Sequence, residues 1–157
     1  MLLVRQFRPA VYASILRKTM YKSTVDAGPA APPFTAAFTF ELCAGIVDKN
    51  KSLEEVAQEE VLEECGYDVP LQAIQRMTSY PASVGTTGSE QTLFFAQVDN
   101  SMKKQAAGGV ASAGERIELL GLPLDSVEAF VMDPSVPKPS SAMFGLLWAK
   151  THLIQRA

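Results

Sequence analysis

A single α+β sandwich is the fold this sequence predicts, and three observations predict it. Residues 2–7, 34–42 and 92–98 are rich in aromatic and β-branched side chains, the composition of strands. Residues 52–66 carry both the start and the stop signals of a helix. Residues 141–154 form a longer apolar run at helical spacing. At 157 residues the chain suits one domain, 1–157, large enough to enclose a substantial core between a sheet and helices.

In chain order, residues 2–7 are apolar enough for a core strand, and Pro9 stops it. A chain that opens inside a strand suggests that further sequence precedes it. Residues 12–21 read as a second strand or an irregular hairpin arm. Gly28, Pro29, Pro32 and Pro33 make 23–33 a loop, and 34–42 returns to a strand that ends before a turn at Gly45. Beyond the 52–66 helix, 71–80 reads as a strand distorted near Gln75 and Arg76. The Gly/Ser/Thr stretch 81–90 is a loop, 92–98 a strong strand, and 99–104 turns away from it. Residues 105–114 are small and carry no pattern; Glu115 closes them just before a strand at 117–120. A helix at 125–132, a proline-rich turn at 134–139 and the last helix follow. In that helix Phe144, Leu147, Trp148, Thr151 and Leu153 form the packed face.

The acidic helix is the most informative element. Ser52 caps it with Glu55 at N3, a capping box, and Gly66 supplies the left-handed residue that ends it. Leu53, Val56, Ala57 and Val61 fall on one face at 100° per residue. Glu60 and Glu64 are one turn apart and project within that face, with Glu63 at its edge; Glu54, Glu55 and Glu59 point toward solvent. Carboxylates turned toward a core are costly, and like charges at i,i+4 repel. A hard divalent cation, Mg²⁺ or Mn²⁺, relieves both costs. The plainer alternative is a short acidic surface helix with a frayed last turn.

Composition excludes several classes. A formal charge of −3 gives no general attraction to nucleic acid. Cys43 and Cys65 lack the spacing of a zinc site or disulfide framework and fit reduced, structural thiols in a cytoplasmic protein. No run is long enough to span a membrane, and the opening residues lack a signal peptide's pattern. His152, the one histidine, reads as a surface or packing residue, so a Ser–His–Asp hydrolase has little support. There is no Walker loop and no GxGxxG.

The spacing from Gly45 to Tyr67 resembles the Nudix box: Gly, five residues, Glu, seven residues, then Arg-Glu-apolar-any-Glu-Glu-any-Gly-apolar. Gly45, Glu60, Val61, Glu63, Glu64, Gly66 and Tyr67 match. Lys51 stands in place of the first Glu, and Glu59 in place of the Arg that usually pins a catalytic carboxylate. The likeness continues through VRQFRPAVY, ELCAG, SYPASVGTTGSEQTLFF and GERIELLGLPL toward the ADP-ribose and nucleotide-sugar pyrophosphatase branch, and above all its UDP-sugar-cleaving members. In that branch an N-terminal sheet normally precedes the QFRP strand and helps form a homodimer; the expectation here is a Nudix domain without that sheet.

What the resemblance implies is a Nudix α/β/α sandwich with a mixed sheet and Mg²⁺-dependent cleavage of UDP-glucose to UMP and glucose 1-phosphate. ADP-ribose giving AMP and ribose 5-phosphate is the alternative substrate, and a catalytically weak nucleotide-binding domain is the alternative class. Glu60 and Glu64 become metal ligands, Glu63 a ligand or the partner of a metal-bound water, and the Ala44 carbonyl a further ligand. Glu115 is the candidate base, with Glu63 as the other catalytic carboxylate. Arg5, Arg8, Glu41 and Glu90 are the expected substrate contacts, Arg5 by itself reading more simply as an ordinary strand charge. A homodimer is expected, with the opening strand as an edge that a second chain would cover.

Overall fold

The computed structural model describes residues 1–22, 30–48, 50–109 and 116–154. The fold is α+β, as the sequence predicts. In order it comprises β1 (Leu2–Phe7), α1 (Pro9–Lys22), β2 (Phe38–Glu41), α2 (Leu53–Glu60), β3 (Gln75–Pro81), β4 (Glu90–Phe95), β5 (Glu118–Gly121), α3 (Val127–Met132) and α4 (Ser140–Ile154). The chain divides into two compact units, residues 1–42 with 120–157, and residues 43–119.

In the first unit, β1 lies between β2 and β5. Val4 pairs with Glu41 and Phe7 with Phe38, antiparallel. The opening strand is therefore a central strand and not an edge, which removes the structural argument for a second chain covering it. The core beside it is Leu3, Val127, Val131 and Leu146, joined by Leu42, Leu122 and Phe130. Each fully buried Leu or Val is worth about 1.5–3 kcal/mol. The exposed Lys150–Glu128 pair (3.0 Å) contributes at most about 1 kcal/mol, so this cluster holds α3 and α4 in place.

Two sequence expectations change in this unit. Residues 12–21 are helix, not strand. Pro9 opens α1 at the position where its missing N–H costs nothing, and the Tyr12 amide donates to the Arg8 carbonyl at 3.0 Å. Val11, Tyr12, Ile15, Leu16 and Thr19 are the half-buried side, a 3.6-residue period, while Ala10, Ala13, Arg17 and Lys18 are exposed helix formers. The packed face of α4 also differs. Phe144 and Leu147 are exposed, and the buried residues are Ala142, Gly145, Leu146 and Ala149. Small side chains allow close approach: a Cβ at Gly145 would lie 2.8 Å from Leu42 Cδ1.

In the second unit, α2 begins with the expected capping box. The Ser52 hydroxyl accepts from the Glu55 amide, and the Glu55 carboxylate accepts from the Ser52 amide at 2.8 Å. The helix continues as a wider π turn, Val61–Cys65, and Gly66 ends it at φ 79°. Its terminal carbonyls are taken up by residues 103–109. Lys103 Nζ donates to the Cys65 carbonyl (2.7 Å), Gln105 Nε2 to Leu62 (2.9 Å), and the Gly109 and Gly108 amides to Glu63 and Glu64 (3.2 and 3.3 Å). The start of the glycine-rich segment is thus docked, although its composition reads as structureless. β3 and β4 form an antiparallel hairpin whose register shifts between Arg76 and Thr78, where a distortion is expected. Val56, Val69, Ile74 and Ile117 are the buried aliphatic side chains here.

Candidate functional site

Helix α2, its π turn and the chain from Cys43 to Gly45 meet in the second unit. Glu64 is 4% exposed, and its Oε2 accepts the Ala44 amide at 3.1 Å. A buried carboxylate needs such a donor. Glu60 lies against Gly45 so closely that a Cβ there would sit 1.9 Å from Glu60 Oε1. Glycine at this position leaves room for the carboxylate. Glu63 is half-buried in the π turn, a widened form that often occurs at functional sites.

The two departures from the Nudix pattern meet each other. Lys51 Nζ and Glu59 Oε1 form an ion pair, with the cation on the loop and the anion on the helix. The pattern has a loop carboxylate and a helix guanidinium at these positions, so this chain carries an opposite-sign pair with its polarity reversed. Sequence inspection takes them as two separate losses; the signal for their pairing is that both changes reverse charge.

Cys43 and Cys65 are also neighbours beside Glu64, and the Cys65 side chain and burial push the Cys43 thiol above its ordinary value. Cys65 is buried and Cys43 half-buried. Nothing in their spacing, twenty-odd residues apart without a motif, announces this contact.

Of the expected substrate contacts, Arg8 and Glu41 pair within the first unit. Arg8 Nε donates to Glu41 Oε1 at 2.8 Å and Nη2 to Oε2 at 2.6 Å, a bidentate fork, and the Thr39 hydroxyl also donates to Oε1. Burial pushes the Glu41 carboxyl up; the Arg8 and Thr39 hydrogen bonds and the Arg8 charge outweigh it and hold the group below its ordinary value. Arg5 stands over the Phe38 ring at 4.4 Å, a cation–π contact with the neighbouring strand. Glu90 is exposed at the first position of β4, opposite Pro81. His152 stacks on Trp148 at 4.1 Å, the packing role expected of it. Glu115 lies outside the described residues.

Among the described residues, no group of three or more His, Cys, Asp or Glu side chains is gathered so as to hold a metal ion. Glu64 turns to Ala44 and Glu60 to Gly45, so both carboxylates meet the same turn. The donor chemistry still suits a hard divalent cation, being carboxylate oxygens within one helical turn and a half, with a glycine cradle beside one of them. No helix among the described residues is long and apolar enough to cross a membrane.

Comparison with known proteins bears on this arrangement. No protein-family model matches the chain. The chain is 44% identical over 156 residues to a uridine diphosphate glucose pyrophosphatase of Bos taurus, covering 94% of this chain and 70% of that protein. It is 38% identical over 162 residues to the Mus musculus protein of the same description, covering 98% and 73%. The chain belongs to the Nudix family, in its UDP-sugar pyrophosphatase branch. Within that family the reversed Lys51–Glu59 pair is a variation of this chain's box, and the residues from Glu60 to Tyr67 keep the pattern.

Proposed function

We propose that the chain is a divalent-metal-dependent hydrolase that cleaves the diphosphate of a nucleotide sugar, UDP-glucose yielding UMP and glucose 1-phosphate. The observation that carries this reading is the junction of Glu60 with Gly45 and Glu64 with Ala44, in a chain of this family. Glu60, Glu63, Glu64 and the Ala44 carbonyl would hold Mg²⁺, with Mn²⁺ as the alternative. When bound, the metal supplies neutralisation of the two phosphates and a water of lowered pKa.

The chain's own residues do the rest. Gly45 admits the Glu60 carboxylate by offering no side chain, and Glu64 fixes the turn by accepting the Ala44 amide. Glu115 takes the proton of the attacking water, with Glu63 as the other carboxylate for that step. Support for Glu115 comes from its flanks: the Gly109 amide is tied to the Glu63 carbonyl, and the Ile117 amide to Gly108. Arg8, its guanidinium plane set by Glu41, together with Arg5 and Glu90, contacts substrate. We further propose that residues 1–157 act as one Nudix domain, that the chain is a homodimer, and that it works in the cytoplasm, where free cysteines such as Cys43 and Cys65 persist.

Turnover of UDP-sugars, ADP-ribose and dinucleotides with and without Mg²⁺ tests the proposal. The expected result is metal-dependent release of UMP from UDP-glucose. Preferential formation of AMP and ribose 5-phosphate from ADP-ribose would change the substrate and keep the class. Nucleotide binding without turnover would replace the enzyme with a binding domain.

A further inference from the structure

We infer that Lys103 is a positioning residue for the metal-holding turn: its ammonium, seated on the C-terminal end of the acidic helix, keeps Glu63 and Glu64 where they can share a cation. This rests on the metal role proposed above for Glu60, Glu63 and Glu64, and three observations carry it. The first is where the end of the helix finds its donors. The last carbonyls of a helix have no partner inside it. Here the Leu62 carbonyl accepts Gln105 Nε2 at 2.9 Å, that of Glu63 the Gly109 amide at 3.2 Å and that of Glu64 the Gly108 amide at 3.3 Å. The Cys65 carbonyl accepts Lys103 Nζ at 2.7 Å, and that of Gly66 the Lys104 amide at 3.0 Å. Residues 103–109 are thus a strap across the π turn that carries both carboxylates. The second observation is the strap's seat. A Cβ on Gly66 would meet the Gln105 carbonyl oxygen at 2.3 Å and Lys103 Nζ at 3.0 Å, so the strap lies directly on the glycine. Lys103 Nζ also stands 4.4 Å from the centre of the Tyr67 ring, and the two residues form an antiparallel bridge. The third is charge. Glu59, Glu60, Glu63 and Glu64 crowd the last turns of a helix, where partial negative charge already gathers, and a cation at that end offsets their repulsion.

An ammonium here has two effects on a bound metal, and they differ in sign. As a neighbouring charge it repels the metal, so its removal would tighten binding. As a brace it holds the turn in its metal-holding arrangement, so its removal weakens binding in proportion to the population that leaves that arrangement. Lys103 is exposed to solvent, which screens the repulsion. The brace acts at hydrogen-bond distance on the Cys65 carbonyl, next to the Glu64 that accepts the Ala44 amide. The second effect therefore wins, and the direction of the change in metal affinity separates positioning from mere proximity.

The test titrates the intact protein with Mn²⁺ alone, without nucleotide, following the loss of the free ion's paramagnetic resonance signal at a temperature well below melting. Lys103→Met keeps the length of the side chain and removes its charge; it should bind Mn²⁺ about fivefold more weakly than wild type. Lys103→Arg keeps a cation and should restore most of the affinity. In UDP-glucose cleavage, Lys103→Met should need about fivefold more Mg²⁺ for half-maximal rate, with KM for the nucleotide within a few-fold. Unchanged or tighter Mn²⁺ binding in a folded Lys103→Met protein would overturn the inference and leave the proposed hydrolase standing. Weakened binding that arginine does not restore would also overturn it, since a cation would then not be what the turn needs. A wild type that binds no Mn²⁺ would remove the metal reading and this inference together, whereas Mn²⁺ binding without turnover would remove only the hydrolase. Hydrogen exchange of the wild type decides the matter where Lys103→Met does not fold: the Gly108 and Gly109 amides should be protected, and exchange at the rate of free peptide would overturn the strap.

Discussion

Replacing Gly45 by alanine places a methyl carbon where the Glu60 carboxylate now lies. The added carbon would be 1.9 Å from Oε1, 2.2 Å from Cδ and 2.5 Å from Cγ, whereas ordinary contact begins at 3.4 Å. The carboxylate must retreat by about 1.5 Å to restore contact distance. Gly45 is not among the glycines with positive φ, so alanine brings no backbone strain, and the atoms it strikes belong to a flexible side chain. The fold should hardly notice, with a cost below about 1 kcal/mol and a melting shift within about 4 °C. A misplacement of about 1 Å in a catalytic constellation costs on the order of 10²-fold in rate. Initial rates of UMP release from UDP-glucose at saturating Mg²⁺, fitted for kcat and KM, should therefore show kcat down by about 10²-fold. Gly66→Ala is the contrast: φ is +79° and the new carbon meets the Gln105 carbonyl oxygen at 2.3 Å, so it should lose stability first. Wild-type kcat in a well-folded Gly45→Ala enzyme would refute the link between this cradle and Glu60's placement.

Further outcomes follow from the same residues. Glu115→Gln should lower kcat by roughly 10²-fold or more with KM within a few-fold, the signature of a lost base; near-normal kcat alongside collapse in Glu63→Gln would transfer that role to Glu63. Glu41 has a folded pKa below its ordinary 4.5, so its ionic contribution is complete above that pH and is lost as pH falls through the lower folded value. Glu41→Gln should melt lower than wild type at neutral pH, and the gap should close as melts are taken at pH values further below 4.5. Lys51→Glu and Glu59→Lys should each cost stability by up to about 1 kcal/mol, and the double exchange should recover most of it in thermal melts. Additive losses in the double variant would mean that the pair carries no coupling.

How much of this could be read beforehand depends on the range of the interaction. Ser52, Glu55 and Gly66 act within one or two turns of themselves, and the sequence places both helix ends correctly. Helix α1 is missed because its aromatic and β-branched residues suggest a strand when counted. Only their 3.6-residue spacing, with Pro9 at the first position, shows the helix. The face of α4 is missed for a different reason. Hydropathy selects Phe144 and Leu147, yet close packing against Leu42 selects Gly145.

The site follows the same division. Residue types and spacing from Glu60 to Tyr67 are local and legible, while the partners of those residues are not. Glu64's donor lies twenty residues earlier, and Glu41's fork comes from Arg8, between β1 and α1, so neither contact has a sequence period to announce it. Lys51 and Glu59 make the point most sharply. Taken singly, each is a loss: a cation where the box has an acid, an acid where it has a cation. Coulomb attraction between two side chains is unchanged when both signs are exchanged, so a contact between positions 51 and 59 survives the double change although neither position matches. What does not survive is the fork of a guanidinium, since a lysine ammonium is a point charge without planar, bidentate geometry. The reversed pair can therefore tie the loop to the helix and still hold it less rigidly than an Arg–carboxylate pair would. That is why the double exchange Lys51→Glu with Glu59→Arg, which restores the fork, should melt higher than the exchange with Glu59→Lys.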